Sequence, residues 1–370
     1  MTQKLRVGVI GCGGIAQMMH LPFLFERPDM FSVEALSDVD GKALELVGRR
    51  YHVGRLHADY RKLLEEPIDA VLIVSGGSHS RPVSDAARAG KHIFVEKPLG
   101  ENLGEVEAAA QAVRAARVTL MVGYHKRYDP GYCYAREQIR GLNDLRMVRV
   151  DVLHPVDAWA RRHYHIEPVP GPEQAGRADS EATDGLAAFV NSGPPRRGID
   201  AVIGADAPEE QRVAAFLLFN SLIHDINAVR GILGEPEEVL FSEFWKGGRC
   251  MHAVLRWKRD VRCAFSWIFL AGVRNYREEL LFLSPEGRVT ITFPAPYFRH
   301  FPTPVTVEAM EKGRVVERKV TVSMDEAFRL ELHHFHECVT TGRQPDTGLE
   351  DALADTRLIE RIARAYKPAI

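Results

Sequence analysis

The N-terminal third of the chain alternates short apolar runs with longer amphipathic stretches. Strand-like runs occur at 6–10, 33–37, 70–74, 92–95 and 119–122. Helix-like segments lie between them, and Gly90 follows one of these where a helix C-terminus favours positive φ. Continuous apolar strands separated by helices are typical of a parallel, doubly wound sheet. The pattern therefore predicts an N-terminal domain of this kind over residues 1–124.

The pattern changes after Asp129-Pro130, where apolar and polar residues begin to alternate. Strand-like runs follow at 147–153, 239–244, 251–257, 262–271, 277–283 and 288–293. Helix-like runs follow at 208–233, 325–338 and 349–365. The turn signal Pro285-Glu286-Gly287 joins the last two strands as a hairpin. We expect a second α/β domain over 125–345 with an open, largely antiparallel sheet, and a C-terminal helix within 346–370 that packs back on the first domain.

A long insertion, rich in proline, glycine and charged residues, interrupts the second domain at about residues 155–210. We expect one short helix in it, at 185–191. Loops of this length inside compact domains are usually functional lids or partly disordered segments. The sequence leaves both alternatives open.

A glycine-rich loop, G-C-G-G-I-A, begins at Gly11, directly after the first predicted strand, and opens a helix. Gly11 makes the tight turn, Gly13 lets the backbone approach a pyrophosphate, and Ala16 permits close packing of helix on strand. The N–H groups of Gly14 and Ile15 would face the phosphates, helped by the helix dipole. This context predicts a dinucleotide-binding domain of Rossmann type.

Asp38 follows the second predicted strand and bears on the identity of the cofactor. A carboxylate there accepts hydrogen bonds from the adenosine ribose and repels a 2′-phosphate. No arginine stands beside it, and the nearest cation along the chain is Lys42. NAD is therefore favoured over NADP. Asp40 is expected to cap the helix that starts at Gly41.

Composition and charge exclude several other classes of protein. The chain has 370 residues, 48 Lys plus Arg and 50 Asp plus Glu, a net charge of −2. Nothing in this balance suggests a nucleic-acid partner or an anionic membrane surface. The 5 cysteines are scattered and are expected to be reduced thiols. Without a signal peptide or a membrane-spanning run, the protein is expected to be cytoplasmic.

Four longer motifs lie at 89–98, 123–132, 224–236 and 328–342, the first of them ending in Glu-Lys-Pro. Together they resemble the Gfo/Idh/MocA family, the group of glucose–fructose oxidoreductase and inositol dehydrogenase, over nearly the whole chain except the insertion. The resemblance implies a Rossmann domain plus a C-terminal α/β domain whose open sheet often forms a homodimer or homotetramer. It also implies oxidation of a secondary alcohol on a sugar or cyclitol, or the reverse reduction.

The resemblance implies roles for single residues as well. Lys97 is similar to the lysine that contacts the nicotinamide ribose and the reacting hydroxyl, and His224 is similar to the catalytic histidine. Glu96 and Pro98 resemble the residues that fix this lysine, with a cis peptide bond possible before the proline. Arg127 resembles a basic residue near the interdomain cleft.

Further contacts are expected around these residues. Ser75 and His79 are expected to line the cofactor, although the stretch V-S-G-G-S-H departs from the more usual Thr-Pro-Asn or Thr-Pro-Thr. His125, like Arg127, is expected on the substrate side. The position four residues before the histidine, commonly Asp in the family, is Asn220 here. An amide there can orient the histidine or bind a substrate hydroxyl, but supplies no charge.

The chemistry requires a C–H bond held about 3–3.5 Å from the nicotinamide carbon and a base for the hydroxyl proton. Our hypothesis is that His224 takes the proton, since an unperturbed histidine has a pKa near 6.5, while Lys97 polarises the oxygen. His154, His163 and His165 either line the pocket or lie in a solvated loop; His165 is retained as a substrate-binding candidate. No metal site is predicted.

Three functions remain open at this point. The first is an NAD-dependent dehydrogenase or reductase of a sugar or cyclitol derivative. The second is a regulator that binds the dinucleotide without chemistry, a role that Asn220 favours weakly and the Glu-Lys-Pro motif opposes. The third is NAD-assisted glycoside cleavage or epimerisation through a transient keto-sugar.

Overall fold

A computed structural model describes residues 3–156, 158–167 and 185–367. Part of the predicted insertion, 168–184, lies outside these residues. The chain divides into two compact units. The first comprises 1–125, 163–175 and 328–356, and the second comprises 126–162, 176–327 and 357–370. Of the described residues, 163–167 and 328–345 lie in the first unit, whereas the predicted boundaries give them to the second domain.

The first unit is built on a six-stranded parallel sheet with the order β3-β2-β1-β4-β5-β6. Its strands are β1 Leu5–Ile10, β2 Phe31–Ser37, β3 Arg55–His57, β4 Ala70–Ile73, β5 His92–Glu96 and β6 Leu120–Gly123. The order reverses between β1 and β4, so the expected doubly wound sheet is confirmed. The short edge strand β3 is an addition to the prediction.

Helices connect these strands, as a parallel sheet requires. They are α1 Leu21–Glu26, α2 Gly41–Tyr51, α3 Tyr60–Leu64, α4 Ser80–Arg88 and α5 Leu103–Ala116. A π-helical turn, Ala16–His20, precedes α1 directly after the glycine-rich loop. The Asp40 side chain accepts from the backbone N–H groups of Lys42 and Ala43, so its predicted capping role is confirmed.

The second unit contains an eight-stranded sheet with the order β14-β13-β12-β11-β7-β10-β9-β8. Its strands are β7 Met147–His154, β8 Glu238–Trp245, β9 Cys250–Arg256, β10 Arg262–Phe269, β11 Arg277–Ser284, β12 Gly287–Phe293, β13 Val305–Glu311 and β14 Arg314–Val320. β7 pairs in parallel with β10, and the other pairings are antiparallel. The predicted class, an open and largely antiparallel sheet, is confirmed, as is the β11–β12 hairpin.

Strands β13 and β14 did not emerge from the sequence pattern. β14 carries Arg314, Glu317, Arg318 and Lys319, and none of its residues is buried. An edge strand that is exposed to solvent on both faces lacks the alternation of apolar and polar residues that identifies a half-buried strand.

The helices of the second unit include a correction to the prediction. They are α6 Pro130–Arg140, α7 Ala158–Arg161, α8 Gly185–Val190, α9 Gly193–Ile203, α10 Glu209–Leu217 and α11 Ile223–Leu233. The predicted continuous helix 208–233 is wrong in its middle, because the π-helical segment Leu218–Leu222 separates α10 from α11. The short helix expected at 185–191 is confirmed as α8.

Two C-terminal helices complete the fold, α12 Ala327–Thr341 and α13 Leu349–Ala365. Within the first unit, Phe335 of α12 packs edge-on against Phe94 of β5, with the ring centroids 5.8 Å apart. Between the helices, Thr347 donates its hydroxyl to the Val122 carbonyl of β6 at 2.7 Å. These contacts hold the middle of α12 against β5 and the segment after α12 against β6.

Two expectations drawn from composition can be compared with the structure. All five cysteines are free thiols, as predicted. Among the described residues, no helix combines the length and the apolar character needed to cross a bilayer.

Gly231 offers a test of how α11 is held. A Cβ at this position would lie 2.4 Å from the Tyr132 hydroxyl and 2.5 Å from the Arg127 Nε. The hydroxyl cannot give way easily, because it donates to the Ala228 carbonyl at 2.8 Å. Gly231→Ala should therefore lower the free energy of unfolding by about 1 kcal/mol or more, despite the gain of about 1 kcal/mol in helix propensity. Urea unfolding measures the change.

Gly272→Ala is the matched control, since a Cβ at that position would meet no described atom within 4 Å. Equal stability of both variants and the wild type would show that α11 does not depend on this close approach.

Candidate functional site

The glycine-rich loop has the geometry that a dinucleotide requires. Gly11 has a φ of 106°, and a Cβ there would lie 2.6 Å from the backbone nitrogen of Ser75. Only glycine fits this position. At Gly13, by contrast, no described atom lies within 4 Å of a Cβ, so the space beside the loop is open. A tight turn next to open space fits a bound pyrophosphate.

The carboxylate of Asp38 is fixed at the end of β2. One oxygen accepts the N–H of Cys12 at 2.6 Å, and the other accepts the N–H of Asp40 at 2.8 Å. The side chain therefore ties the glycine-rich loop to β2 while it remains partly exposed. A fixed negative charge beside the loop is suited to ribose hydroxyls and opposed to a 2′-phosphate.

His79 joins two backbone segments of the first unit. The ring is buried, with Nε2 2.7 Å from the Ser75 carbonyl oxygen and Nδ1 2.7 Å from the Pro98 carbonyl oxygen. Ser75 in turn lies against Gly11. The peptide bond between Lys97 and Pro98 is cis, as the resemblance suggested. His79 therefore links the loop after β4 to the Glu-Lys-Pro motif.

Glu96 supports Lys97 from behind. Its carboxylate accepts the backbone N–H of Lys97 at 3.2 Å and lies 2.8 Å from Nε2 of His20, which is fully buried. Burial acts against the charge of Glu96, but the hydrogen bond to His20 and the nearby cationic groups outweigh it and lower the pKa of this carboxyl. Glu96 is therefore ionised and holds the backbone from which the half-buried Lys97 side chain extends.

A second carboxyl, Glu331 of α12, lies beside this pair. It is 0% exposed, and its oxygens have no hydrogen-bond partner among the described residues. Its carboxyl oxygen and the polar atoms of His20 and Glu96 lie within 4.8 Å of one another. Burial, reinforced by the charge of Glu96, raises the pKa of Glu331 well above its usual range. Glu331 is therefore a neutral acid at physiological pH.

One histidine and two carboxyls also make up a possible metal-ligand set. The distance between His20 Nε2 and Glu96 Oε1, however, is 2.8 Å. Two ligands of one tetrahedral zinc ion lie about 3.4 Å apart, given metal–ligand distances of about 2.0–2.1 Å. The shorter distance is that of a hydrogen bond. We therefore interpret His20, Glu96 and Glu331 as an acid–base cluster.

The other residues predicted to contact substrate lie in varied environments. His125 is largely buried in the first unit and stacks on Phe328, with ring centroids 4.3 Å apart. Arg127 lies in the second unit against Gly231 of α11. The side chain of His165 is 61% exposed and pairs with Glu167 at 3.0 Å. Substrate contact by these three residues stays a prediction.

The candidate base, His224, lies in the first turn of α11, which starts at Ile223. Asn220 lies in the preceding π-helical segment, and its Nδ2 donates to the Phe216 carbonyl at 2.9 Å. The predicted continuous helix over 208–233 is therefore wrong at Asn220, because the wider π turn changes the rotation between residues 220 and 224. An aspartate at 220 could not donate this hydrogen bond. Lys97 belongs to the first unit, and His224 belongs to the second.

A buried charge cluster lies next to His224 in the second unit. The Lys126 ammonium donates to Asp225 at 2.8 Å and to Glu278 at 2.5 Å, and Tyr276 donates to the second oxygen of Glu278 at 2.5 Å. Burial acts against the charge of Lys126, but the two carboxyls outweigh it and raise its pKa. Burial, with Asp225, raises the pKa of Glu278 to about 8. The Lys126 ammonium thus contacts two carboxyls, and Glu278 is the one that stays protonated at neutral pH.

Further side chains of the second unit lie near Tyr276 of this charge cluster. His154 lies 5.6 Å from Tyr276 and 5.4 Å from Trp267, measured between ring centroids. The Trp267 Nε1 donates to the Ser221 hydroxyl at 3.1 Å. His154 therefore adjoins Tyr276, the outer member of the hydrogen-bond chain that leads to Lys126.

Sequence reasoning missed most of these supporting residues. His20, Lys126, Glu278 and Glu331 acquire their roles through contacts between residues far apart in the chain. Lys126, Asp225 and Glu331 lie inside three of the recognised motifs, which was the one available signal for them. The missed residues are buried titratable groups, whereas most of the predicted ones stand at strand ends and helix starts.

The protonation of Glu331 can be tested against that of its neighbour. Glu331→Gln should change the free energy of unfolding at pH 7 by less than about 1 kcal/mol, because glutamine replaces a neutral acid of the same shape. Glu96→Gln should lower it by about 2–3 kcal/mol, because it removes a charge-assisted acceptor from a buried histidine. Urea unfolding of both variants measures the difference. Equal losses would show that Glu331 is ionised as well.

The proton on Glu278 predicts how stability depends on pH. The folded-state pKa, about 8, lies above the unfolded value. The stabilisation is therefore present below about pH 4 and lost as the pH rises through about 8, with a slope of at most about 1.4 kcal/mol per pH unit. Glu278→Gln should remove this decline, as measured by urea unfolding at pH 6 and pH 8.5. The control is Glu279→Gln on the same strand, and an unchanged slope in Glu278→Gln would contradict the assignment.

Known proteins resemble this chain most clearly in its N-terminal domain. The model of the Gfo/Idh/MocA oxidoreductase family, with an NAD-binding Rossmann fold, matches residues 5–124. The uncharacterized oxidoreductase YrbE of Bacillus subtilis is 37% identical over 134 residues, 36% of this chain and 39% of that protein. The scyllo-inositol 2-dehydrogenase (NAD(+)) of Bacillus subtilis is 35% identical over 141 residues, 38% of this chain and 41% of that protein. The chain spans about two fifths of the length of these curated relatives.

The likeness in fold extends further than the likeness in sequence. The aldose-aldose oxidoreductase of Caulobacter crescentus, solved with glycerol, superposes with a TM-score of 0.73 at 23% identity, over 98% of this chain and 97% of that one. Both units thus have the fold of a known oxidoreductase. In sequence, the likeness to the Gfo/Idh/MocA oxidoreductase family is shown for the N-terminal Rossmann domain, residues 5–124.

Proposed function

We propose that the protein is an NAD-dependent oxidoreductase that transfers a hydride between nicotinamide and a secondary alcohol or ketone of a sugar or cyclitol derivative. The observation that carries this proposal is the glycine-rich loop, with Gly11 at positive φ and open space at Gly13, directly after β1 of a Rossmann domain. The inositol dehydrogenase among the relatives supports the substrate class.

NAD rather than NADP is the proposed cofactor. The Asp38 carboxylate is held by two backbone N–H groups at the end of β2. Partly exposed there, it would accept the ribose hydroxyls and repel a 2′-phosphate. Gly11, Gly13, Gly14 and Ile15 would hold the pyrophosphate by their backbone. The bound nicotinamide would supply the hydride acceptor or donor.

Lys97 and His224 have separate roles in the proposed hydride transfer. The side chain of Lys97 extends from backbone that the ionised Glu96 fixes, and its ammonium would donate to the reacting oxygen as negative charge develops there. The imidazole of His224 would accept the hydroxyl proton during oxidation and return it during reduction. Asn220 contributes no charge to this exchange.

The alternative with the most support is transient oxidation, as in NAD-assisted glycoside cleavage or epimerisation. It uses the same cofactor loop and the same Lys97 and His224, and differs in returning the hydride before product leaves. A non-catalytic regulator would need the loop but neither of these two side chains. The expectation of a homodimer or homotetramer stays a prediction; exposed apolar residues on outer strands of the second sheet, Leu240, Phe241, Met310 and Val315, are consistent with it.

Two substitutions test the proposed division of roles. Lys97→Met and His224→Ala should each lower turnover by about 10²–10⁴-fold, since each removes a group that acts on the reacting oxygen or its proton. The affinity for NADH should stay within about threefold, because the phosphate-binding loop is untouched. Turnover is followed by NADH absorbance with a panel of polyols and their ketones, and affinity is followed by calorimetry.

Wild-type turnover in His224→Ala would overturn the assignment of the base. Product formation from a glycoside or an epimer without net NADH would identify the transient-oxidation alternative. NADH binding with no turnover of either kind would favour the regulator.

A further inference from the structure

A short segment of the insertion, His163–Glu167, lies against the glycine-rich loop; we call it the strap. Arg162 belongs to the second unit, whereas the strap belongs to the first. The side chains of the strap differ in size and polarity, and the side chain of His165 is exposed. Its attachment to the first unit therefore depends mainly on its backbone.

Gln17, in the π-helical turn after the loop, holds the strap by two reciprocal hydrogen bonds. Its Nε2 donates to the Glu167 carbonyl at 2.6 Å, and its Oε1 accepts the Glu167 N–H at 2.8 Å. The same Nε2 donates to the carbonyl of Cys12 at 2.7 Å. Since Gln17 is only 5% exposed, these hydrogen bonds are shielded from water. One buried amide thus joins the strap to the cofactor loop itself.

A second attachment comes from the helix that follows β2. Arg50, near the end of α2, donates to the His165 carbonyl at 2.8 Å. Between the two attachments, Ile166 approaches Gly14, where its Cδ1 would lie 3.8 Å from a Cβ. The strap therefore borders the loop at Gly14, while the space at Gly13 stays open.

We propose that the strap is part of the cofactor-binding site and retains the dinucleotide by closing over it at Gly14, so that the cofactor leaves only when the Gln17 and Arg50 hydrogen bonds open. The inference rests on the proposed NAD binding. By this inference, Gln17, Arg50 and Ile166 join the residues that control the release of the cofactor. Since Asp38 separately holds the loop at Cys12, opening of the strap does not require the loop to unfold.

The rate at which NADH leaves the full-length protein tests this proposal. NADH is displaced by excess NAD in a stopped-flow instrument and followed by its fluorescence. Gln17→Met removes both reciprocal hydrogen bonds at similar volume, and Ile166→Gly removes the contact at Gly14 without touching the loop. Gln17→Met should raise the dissociation rate of NADH about tenfold or more, and Ile166→Gly should raise it severalfold. NADH should also slow amide hydrogen exchange in peptides that contain the strap.

Gln211→Met is the matched control, because Gln211 is likewise a buried glutamine that donates to a carbonyl, that of Ala363, within the second unit. Its dissociation rate should equal that of the wild type, and thermal unfolding checks that every variant is folded.

The possible failures are distinguishable. If the wild type, Gln17→Met and Ile166→Gly bound NADH and released it at equal rates, the proposed role of the strap would be overturned. The proposed function would be unaffected. Tighter NADH binding in the two variants would show that the strap blocks the site, which also overturns retention. Absence of NADH binding in the wild type would overturn the proposed function together with the strap.

Discussion

The buried hydrogen bond between His20 and Glu96 organises the first unit. His20 ends the π-helical turn after the glycine-rich loop, and Glu96 immediately precedes Lys97. A single 2.8 Å contact therefore connects the segment that would bind phosphate to the segment that carries the proposed oxygen-polarising lysine. Its burial makes it strong and also makes the loss of either partner costly, because the other would be left as an unpaired polar group in an apolar interior. This interaction thus couples the position of the loop to that of the lysine.

Both units place a neutral acid behind a candidate functional residue. In the first unit Glu331 lies beside the ionised Glu96, and in the second Glu278 lies beside Asp225, the neighbour of His224. Two ionised carboxyls in such surroundings would repel one another in a low dielectric, so one of each pair keeps its proton. The consequence differs between the units: Glu278 has the partners Lys126 and Tyr276, whereas neither oxygen of Glu331 has a partner among the described residues. Stability in the second unit should therefore respond to pH through a connected network.

The sequence was informative where chemistry depends on local pattern. The parallel sheet, the turn at Gly11, the cap at Asp40 and the β11–β12 hairpin each follow from neighbouring residues, and each is confirmed. The clusters around Glu96 and Glu278 bring together residues more than 70 positions apart, and no periodicity encodes such contacts. The strap was similarly hidden, because its attachment uses backbone groups that every residue has and only Gln17 and Arg50 distinguish it. The resemblance to a family supplied Lys97 and His224, which pattern alone would have left among many polar residues.

The two π-helical segments show why regular patterns fail near the candidate residues. Ala16–His20 follows the glycine-rich loop and Leu218–Leu222 precedes His224, and each segment continues directly into an α-helix. A π turn is less favourable than an α turn, so it persists where side chains fix it. Gln17 and His20 do so in the first segment, through Cys12 and Glu96; Asn220 and Ser221 do so in the second, through Phe216 and Trp267. Asn220 thus has a backbone function in this segment: its amide supplies a hydrogen-bond donor that a carboxylate lacks.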